Sequence, residues 1–484
     1  MLVLAACLPR PVDVRGEISI TERIGFGAVM GQDSATHEIL LENVGPGTTP
    51  PLGAAELTGA DAARFTIVLD TCAGLEMVVG EFCTVYVMFT PATLEPAAAQ
   101  LSIDAANDGP LVTQLNGGGV EPVAFAPRVT LTQLANGYAV GDVDGSGKLD
   151  LVTTADALLN MTPAGSEDPT FAASSLSLPM SPAALAIIGT TSINRDAQPD
   201  LVTIGPGNQV SVLVNSTPTG AAVASFESAV PFATATGPDA VEIADLDGNS
   251  LPDVVVRCMI SNTITILFNQ TAPQATAASL PTRLDLQTSS VLTGFAIGDV
   301  TGDGKPDVVV GLSNGGPFAA SVAVFENTTT PGAPAFTPID VTASIEVGGS
   351  AIDVALADLD RDGRLDIAFI DGLRVKVMLN ATPAGGALEF DTSVVVLDTT
   401  GAAAITPAEL NGDGNPDLLV STGNKLVVLY GATVLGSRTP AFAAVEYPMI
   451  GTQAGPITIG DLAGDAQPDV LVRTLEGGAL LIHR

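Results

Sequence analysis

Tryptophan is absent from this 484-residue chain, and tyrosine, histidine and cysteine are scarce, at four, two and four residues. With only Tyr86, Tyr138, Tyr430 and Tyr447, an aromatic platform for stacking sugar rings has few candidates. With only His37 and His483, neither in a recognisable nucleophile or metal motif, the usual equipment for general acid–base catalysis is thin. Positive charge is scarce too: 18 Lys and Arg face 53 Asp and Glu, for a formal net charge of −35. That balance argues against nucleic acid or an anionic lipid surface as partner. No segment reaches about 18 consecutive apolar residues, so no membrane-spanning helix is expected.

What the chain has in abundance is one nine-residue pattern. It reads DVDGSGKLD from Asp142, SINRDAQPD from Ser192, DLDGNSLPD from Asp245, DVTGDGKPD from Asp299, DLDRDGRLD from Asp358, ELNGDGNPD from Glu409 and DLAGDAQPD from Asp461. Seven copies some fifty residues apart suit a four-stranded unit repeated round a ring. Side-chain oxygens at positions 1, 3 and 5, a backbone carbonyl at 7 and a carboxylate at 9 can wrap a hard cation, and Ca²⁺ takes six to eight such ligands. Turn-forming Asp, Asn and Gly alone explain a carboxylate or two, but not an acid at position 9 in every copy.

The copies differ in ligand set. The fifth offers Asp358, Asp360, Asp362, the carbonyl of Arg364 and Asp366, and is expected to bind best. The first offers Asp142, Asp144, Ser146, the carbonyl of Lys148 and Asp150; the third Asp245, Asp247, Asn249, the carbonyl of Leu251 and Asp253. The fourth offers Asp299, Thr301, Asp303, the carbonyl of Lys305 and Asp307; the sixth Glu409, Asn411, Asp413, the carbonyl of Asn415 and Asp417. The seventh keeps Asp461, Asp465 and Asp469 but has Ala463 at position 3, and the second opens with Ser192. Both also carry alanine at position 6 (Ala466, Ala197), where a positive φ is strained. About five Ca²⁺ sites are therefore expected, with two degenerate loops balanced between weak binding and a structural turn.

Alternating apolar residues enter each loop, a near-continuous apolar run such as DVVVRC follows it, and a third run such as RVKVMLN comes next. A fourth strand is expected from Phe171, Phe226, Phe336, Phe390 and Phe442, giving four strands per unit. The last copy stops one strand short, and AFAPRVTL, at Ala124, is expected to complete it and remove both free edges. An Asn-x-Thr triplet at Asn160, Asn215, Asn269, Asn327 and Asn380 closes the third strand of five units and is read as a hairpin turn rather than a glycan acceptor.

These repeats resemble FG-GAP or VCBS repeats, the units of the integrin α-subunit propeller, over residues 123–484. The resemblance implies a seven-bladed β-propeller with Ca²⁺ at one end and ligand contact at the other. Residues 16–120 lack the nine-residue loop; short alternating strands broken by Gly, Pro and Asn suggest an antiparallel sandwich. The pieces GFGAV, LLENVGPG, GADAARFTI, DTCAG, EFCTVYVMFTP and QLNGGG resemble the Ig-like choice-of-anchor D modules of secreted bacterial proteins. That resemblance implies a spacer or anchoring role, and a disulfide between Cys72 and Cys83, with export. Cys258, in an apolar strand, reads as a buried thiol.

Residues 1–15 read as a remnant lipoprotein signal and tether. Cys7, after Leu4, Ala5 and Ala6, resembles a lipobox cysteine that is lipidated. Six residues are too few for a full signal peptide, so a start further upstream is expected. The whole reads as an all-β, calcium-binding, non-catalytic protein, secreted or anchored at a bacterial outer membrane through Cys7, with an extracellular protein or polysaccharide as ligand. The rival is an extracellular carbohydrate-active lyase or hydrolase with its site in the central funnel. A cluster of acidic, Arg, Tyr or His side chains there, outside the metal loops, would favour it.

Overall fold

A computed structural model describes residues 18–484 except 21–22, 31–34, 46, 92–96, 106–108, 121, 126–128, 133, 135–137, 154, 164–165, 167–168, 177–183, 188–191, 206, 314–319, 331, 341–352, 372–373, 384, 392–393, 399–400, 434–439, 450–454, 476 and 484. Cys7 and its lipobox lie outside the described residues. The protein is all-β: helical structure among the described residues amounts to short 3-10 turns such as Ala62–Arg64 and Met259–Ser261. No helix among them is long and apolar enough to cross a membrane.

The chain forms two compact units, Met1–Glu121 with Ala432–Ala443, and Pro122–Gly431 with Ala444–Arg484. In the first, two four-stranded sheets share one dry core. Strand Ala97–Asp104 shows why: its side chains alternate between the interior and the surface, so one face is apolar and seeks cover. Ile39 and Leu41 from one strand, Val85, Val87 and Phe89 from a second, and Leu101, Ile103 and Leu115 from the facing sheet all meet there. The expectation of a purely antiparallel sandwich needs correction, because Arg23–Met30 runs parallel to Pro110–Val120. A disulfide joins Cys72 to Cys83, Cα–Cα 5.1 Å.

The second unit consists of seven four-stranded antiparallel sheets, numbered one to seven here in chain order. Sheet one is Tyr138–Gly141, Asp150–Thr153, Asp156–Asn160 and Phe171–Ser175, in that spatial order. The next five repeat this meander. Sheet seven takes Ile457–Gly460, Asp469–Thr474 and Gly477–Leu481 from the end of the chain and adds Val129–Leu131, with Leu480 opposite Val129. The strand supplied by AFAPRVTL thus completes the last sheet. Phe171, Phe336 and Phe442 open fourth strands as expected, whereas Phe226 and Phe390 sit at isolated bridges a few residues before theirs.

The apolar second strands are buried on both faces because each sheet is packed between two others. In Asp253–Cys258, Val254 and Val256 pack with Val202 and Ile204 of sheet two, while Val255 packs with Val308 and Val310 of sheet four. First strands of successive sheets touch from sheet one to sheet seven. The cycle then returns: Leu471 and Leu480 of sheet seven share a cluster with Leu151 and Leu158 of sheet one. The Tyr138 hydroxyl donates to the Leu471 carbonyl at 3.0 Å.

Candidate metal centres

Each nine-residue loop joins the first strand of a sheet to its second. All seven adopt one conformation, with positive φ at positions 4 and 6 even where glycine is missing: Arg195, Ala197, Ser250, Arg361 and Ala466 have φ between 57° and 69°. Non-glycine residues tolerate that region only when their surroundings hold them there. The holding groups are the loop's own acids. Asp142 accepts the N–H groups of Ser146 (2.9 Å) and Gly147 (2.8 Å). Asp358 does the same for Asp362 and Gly363 (both 2.9 Å), and Glu409 for Gly412 (2.7 Å) and Gly414 (3.2 Å). In loop seven Asp461 holds Gly464 (2.6 Å) and Ala466 (2.8 Å). Ser192 holds Asp196 with its hydroxyl oxygen at 2.7 Å. Turn building therefore draws on the same side chains that would hold a metal ion.

Position 9 is the most uniform. Asp150, Asp200, Asp253, Asp307, Asp366, Asp417 and Asp469 are all fully buried. In each, Oδ2 accepts the N–H of position 2, from Ile193 at 2.7 Å to Val300 at 3.0 Å. In each, Oδ1 accepts a second N–H from the residue at or just past the end of the third strand: Asn160, Asn215, Asn269, Asn327, Asn380, Gly431 or His483, at 2.7–2.9 Å. The carboxylate is thus a staple across the sheet in all seven copies, degenerate loops included. Burial pushes Asp150 and Asp200 up to about 6, and Asp253, Asp366 and Asp417 to about 7. Their backbone hydrogen bonds oppose the rise, and neighbouring carboxylates add to it in each loop.

Loops one, three and five go further. Asp142, Asp144 and Asp150 place one oxygen each within 4.8 Å of one another, as do Asp245, Asp247 and Asp253, and Asp358, Asp360 and Asp366. Three charges so spaced repel by about 3 kcal/mol per pair at an effective dielectric near 20, which a divalent cation reverses. A hard, all-oxygen donor set of this kind suits Ca²⁺, so these three clusters fit the ion.

The other expected sites are assembled less fully. No group of three acids converges in loops four, six or seven among the described residues. Thr301 donates its hydroxyl to Asp307 (3.1 Å), and the Asn411 amide to Asp413 (3.0 Å). Loop five is less rich than its composition promised, because Asp362 is ion-paired with Arg364, whose Nε also donates to the Asn380 carbonyl at 3.0 Å. In loop four Lys305 lies 3.5 Å from Asp303. At position 7, the N–H groups of Leu251, Lys305, Arg364 and Asn415 donate to the position 5 side chains Asn249, Asp303, Asp362 and Asp413. Lys148 sends its ammonium to the Thr162 carbonyl.

The asparagines of the Asn-x-Thr triplets do more than turn the chain. Their turn role stands, since Asn215 Oδ1 accepts the Thr217 N–H at 2.9 Å. Yet each is buried, and its amide nitrogen donates twice: to the position 8 carbonyl of its own loop and to the position 2 carbonyl of the preceding sheet's loop. The crossing bonds run from Asn160 to Leu462 (2.9 Å), Asn215 to Val143 (2.9 Å), Asn269 to Ile193 (3.0 Å), Asn327 to Leu246 (2.8 Å) and Asn380 to Val300 (2.8 Å). The signal was visible as a recurrence at fixed distance from position 9; its partner in another sheet was not.

A second group lies among the first strands. Glu242 of sheet three and Asp353 of sheet five interact across sheet four, where Gly294 has no side chain and a Cβ would stand 2.8 Å from the Asp353 Cα. Arg257 forks onto Asp239, Nε–Oδ1 3.0 Å and Nη2–Oδ2 2.6 Å, and influences both acids. Burial, then the charge of Asp353, pushes Glu242 to about 8; burial pushes Asp353 to about 6.

Residues 193–256, 299–369 and 358–420 match the family model of the FG-GAP-like repeat, each match running from one loop into the second strand after the next. No curated protein matches the chain. Among solved structures it is similar to a PapD-like domain of human CEP192 (16% identity, 25% of this chain and 98% of that one, TM-score 0.18). It is also similar to Polycomb Repressive Complex 2 of Chaetomium thermophilum (12%, 73% and 71%, 0.35) and to the Malassezia sympodialis allergen Mala s 1 (9%, 51% and 92%, 0.28). Likenesses this weak decide nothing about function.

Proposed function

We propose that this FG-GAP repeat protein is a calcium-stabilised propeller displayed outside the cell, secreted or anchored through Cys7, whose ring serves as a non-catalytic scaffold for a protein or polysaccharide ligand. The convergence of three carboxylates in each of loops one, three and five carries the calcium part of this reading. The disulfide Cys72–Cys83 supports an oxidising compartment. In this reading Asp142, Asp144 and Asp150 hold one ion, Asp245, Asp247 and Asp253 a second, and Asp358, Asp360 and Asp366 a third. Loops four and six are weaker sites, and loops two and seven are turns.

The test has two arms. Thermal unfolding after EDTA treatment, with Ca²⁺ or Mg²⁺ restored, should show a higher midpoint with Ca²⁺; an unchanged midpoint sinks the metal reading. A glycan and protein array probed with and without Ca²⁺ then identifies the ligand class.

The Glu242–Asp353 pair favours a second reading, a carbohydrate-active enzyme. Glu242, pushed up to about 8, facing across sheet four an Asp353 pushed up to about 6, is the kind of acid and base pairing that glycoside chemistry uses. Turnover of polysaccharides by the native chain, lost in Glu242→Gln, would establish it; no turnover on any arrayed glycan would remove it.

A further inference from the structure

Five of the seven sheet boundaries are tied by a crossing asparagine amide, and two are not. Where the pattern calls for the amide that would reach Leu359 of sheet five, the chain has Gly431; a Cβ there would lie 2.4 Å from the Pro416 carbonyl oxygen, so no side chain fits. Where it calls for the amide that would reach Leu410 of sheet six, the chain has His483, whose buried Nδ1 has no hydrogen-bond partner.

Something else stands at the boundary of sheets six and seven. Tyr430, on the third strand of sheet six, accepts the backbone N–H of Val123 at 2.9 Å. Tyr447, on the fourth strand, donates its hydroxyl to the Val123 carbonyl at 2.8 Å, and the two phenols share a hydrogen bond of 2.9 Å. Phe125 packs edge-on against the Tyr447 ring at 4.9 Å and bridges to His483. Val123 and Phe125 lead directly into Val129–Leu131, the strand that completes sheet seven. Sheet six therefore grips the segment that leads into sheet seven rather than a neighbouring loop. The two phenols are half of the tyrosines in the protein.

We infer that Tyr430 and Tyr447 form a latch on Val123, and that the boundary of sheets six and seven is where the ring opens. Four of the five asparagine clamps join sheets that follow one another in the chain, the fifth (Asn160 to Leu462) joins sheet one to sheet seven, and each loses its partner only when two sheets part. The latch holds a segment whose partners in sheet seven are more than 340 positions away in sequence, and releasing it uncovers the edge Gly477–Leu481. The latch is built from two phenols and one peptide unit and involves neither a metal loop nor a ligand.

Native-state hydrogen exchange on the full chain tests it. In the parent protein, amides of Lys425–Gly431, Gly477–Leu481 and Val129–Leu131 should exchange before those of Leu201–Gly205 and Asp253–Cys258. Tyr430→Phe with Tyr447→Phe keeps the rings and removes the bonds to Val123, and should speed exchange about tenfold in the first set only. Should that pair fail to fold, Tyr447→Phe alone leaves the Val123–Tyr430 bond and should give the same pattern more weakly. Asn269→Ala is the contrast and should speed exchange at sheets two and three. Exchange that begins at the clamped boundaries, or tyrosine variants that leave sheet seven unaltered or loosen all sheets alike, would overturn the latch.

Discussion

The two units of this protein solve the same problem with different materials. The N-terminal unit closes two sheets over one apolar core and adds a covalent tie between Cys72 and Cys83. The ring also has apolar faces between its sheets, but at one end each sheet is pinned by a fully buried aspartate, and five boundaries are crossed by a buried asparagine. Apolar contact is tolerant of small shifts, whereas a buried carboxylate that accepts two N–H groups is all or nothing, because its loss leaves both donors unpaired. The N-terminal unit should therefore respond to reduction and to core volume, and the ring to single polar substitutions.

The largest expected effect tests that contrast within the ring. Asp366→Ala and Asp200→Ala should each destabilise by about 4 kcal/mol without calcium, since each strands two buried donors. Added calcium should widen the gap between parent and Asp366→Ala and leave that between parent and Asp200→Ala unchanged, as Asp200 belongs to no three-acid cluster. Denaturant melts of both variants with EDTA and with Ca²⁺ check this; unequal losses in EDTA would mean that the staple is not general.

Next comes the ion itself. With sites near 0.1 mM, 1 mM Ca²⁺ should stabilise the ring by about 1.4 kcal/mol per good loop, roughly 4 kcal/mol for loops one, three and five together. The N-terminal unit should be indifferent. Calorimetry that resolves two transitions, of which only one moves with Ca²⁺, sharpens the comparison; two that move together break it.

Reduction is the reciprocal probe. Opening the Cys72–Cys83 loop should cost the N-terminal unit about 2–3 kcal/mol and leave the ring transition in place. A shift of the ring transition with dithiothreitol would show that the two units do not melt separately.

The smallest effect concerns pH. Glu242, with Asp353 and Arg257 facing it and Asp239 on that arginine, has a folded pKa of about 8 against an ordinary 4.5. The folded state therefore holds a proton that the unfolded state releases, so stability declines as pH rises from about 5 to 8. Glu242→Gln should match the parent near pH 5 and exceed it near pH 8 by an amount of order 1 kcal/mol or more. Identical slopes would show that Glu242 is ionised in the fold.

Much of this molecule was determined by its sequence alone. The period, the four strands per unit, the loops and the strand borrowed by sheet seven are local patterns repeated seven times, and repetition turns a weak local signal into a strong one. The positive φ at Ala197 and Ala466 followed from position alone. Tertiary structure decided the rest. Which loops gather three oxygens depends on side-chain direction: Thr301 and Asn411 turn to neighbouring carboxylates, and Asp362 turns to Arg364. Which sheet an asparagine ties depends on what lies across a boundary, as Asn160 and Leu462 show at 302 positions apart. The pairing of Glu242 with Asp353, and of two tyrosines with Val123, joins residues that share no local motif. Sequence spacing encodes what one strand and one turn can do; a partner brought by ring closure is set only when the ring is closed.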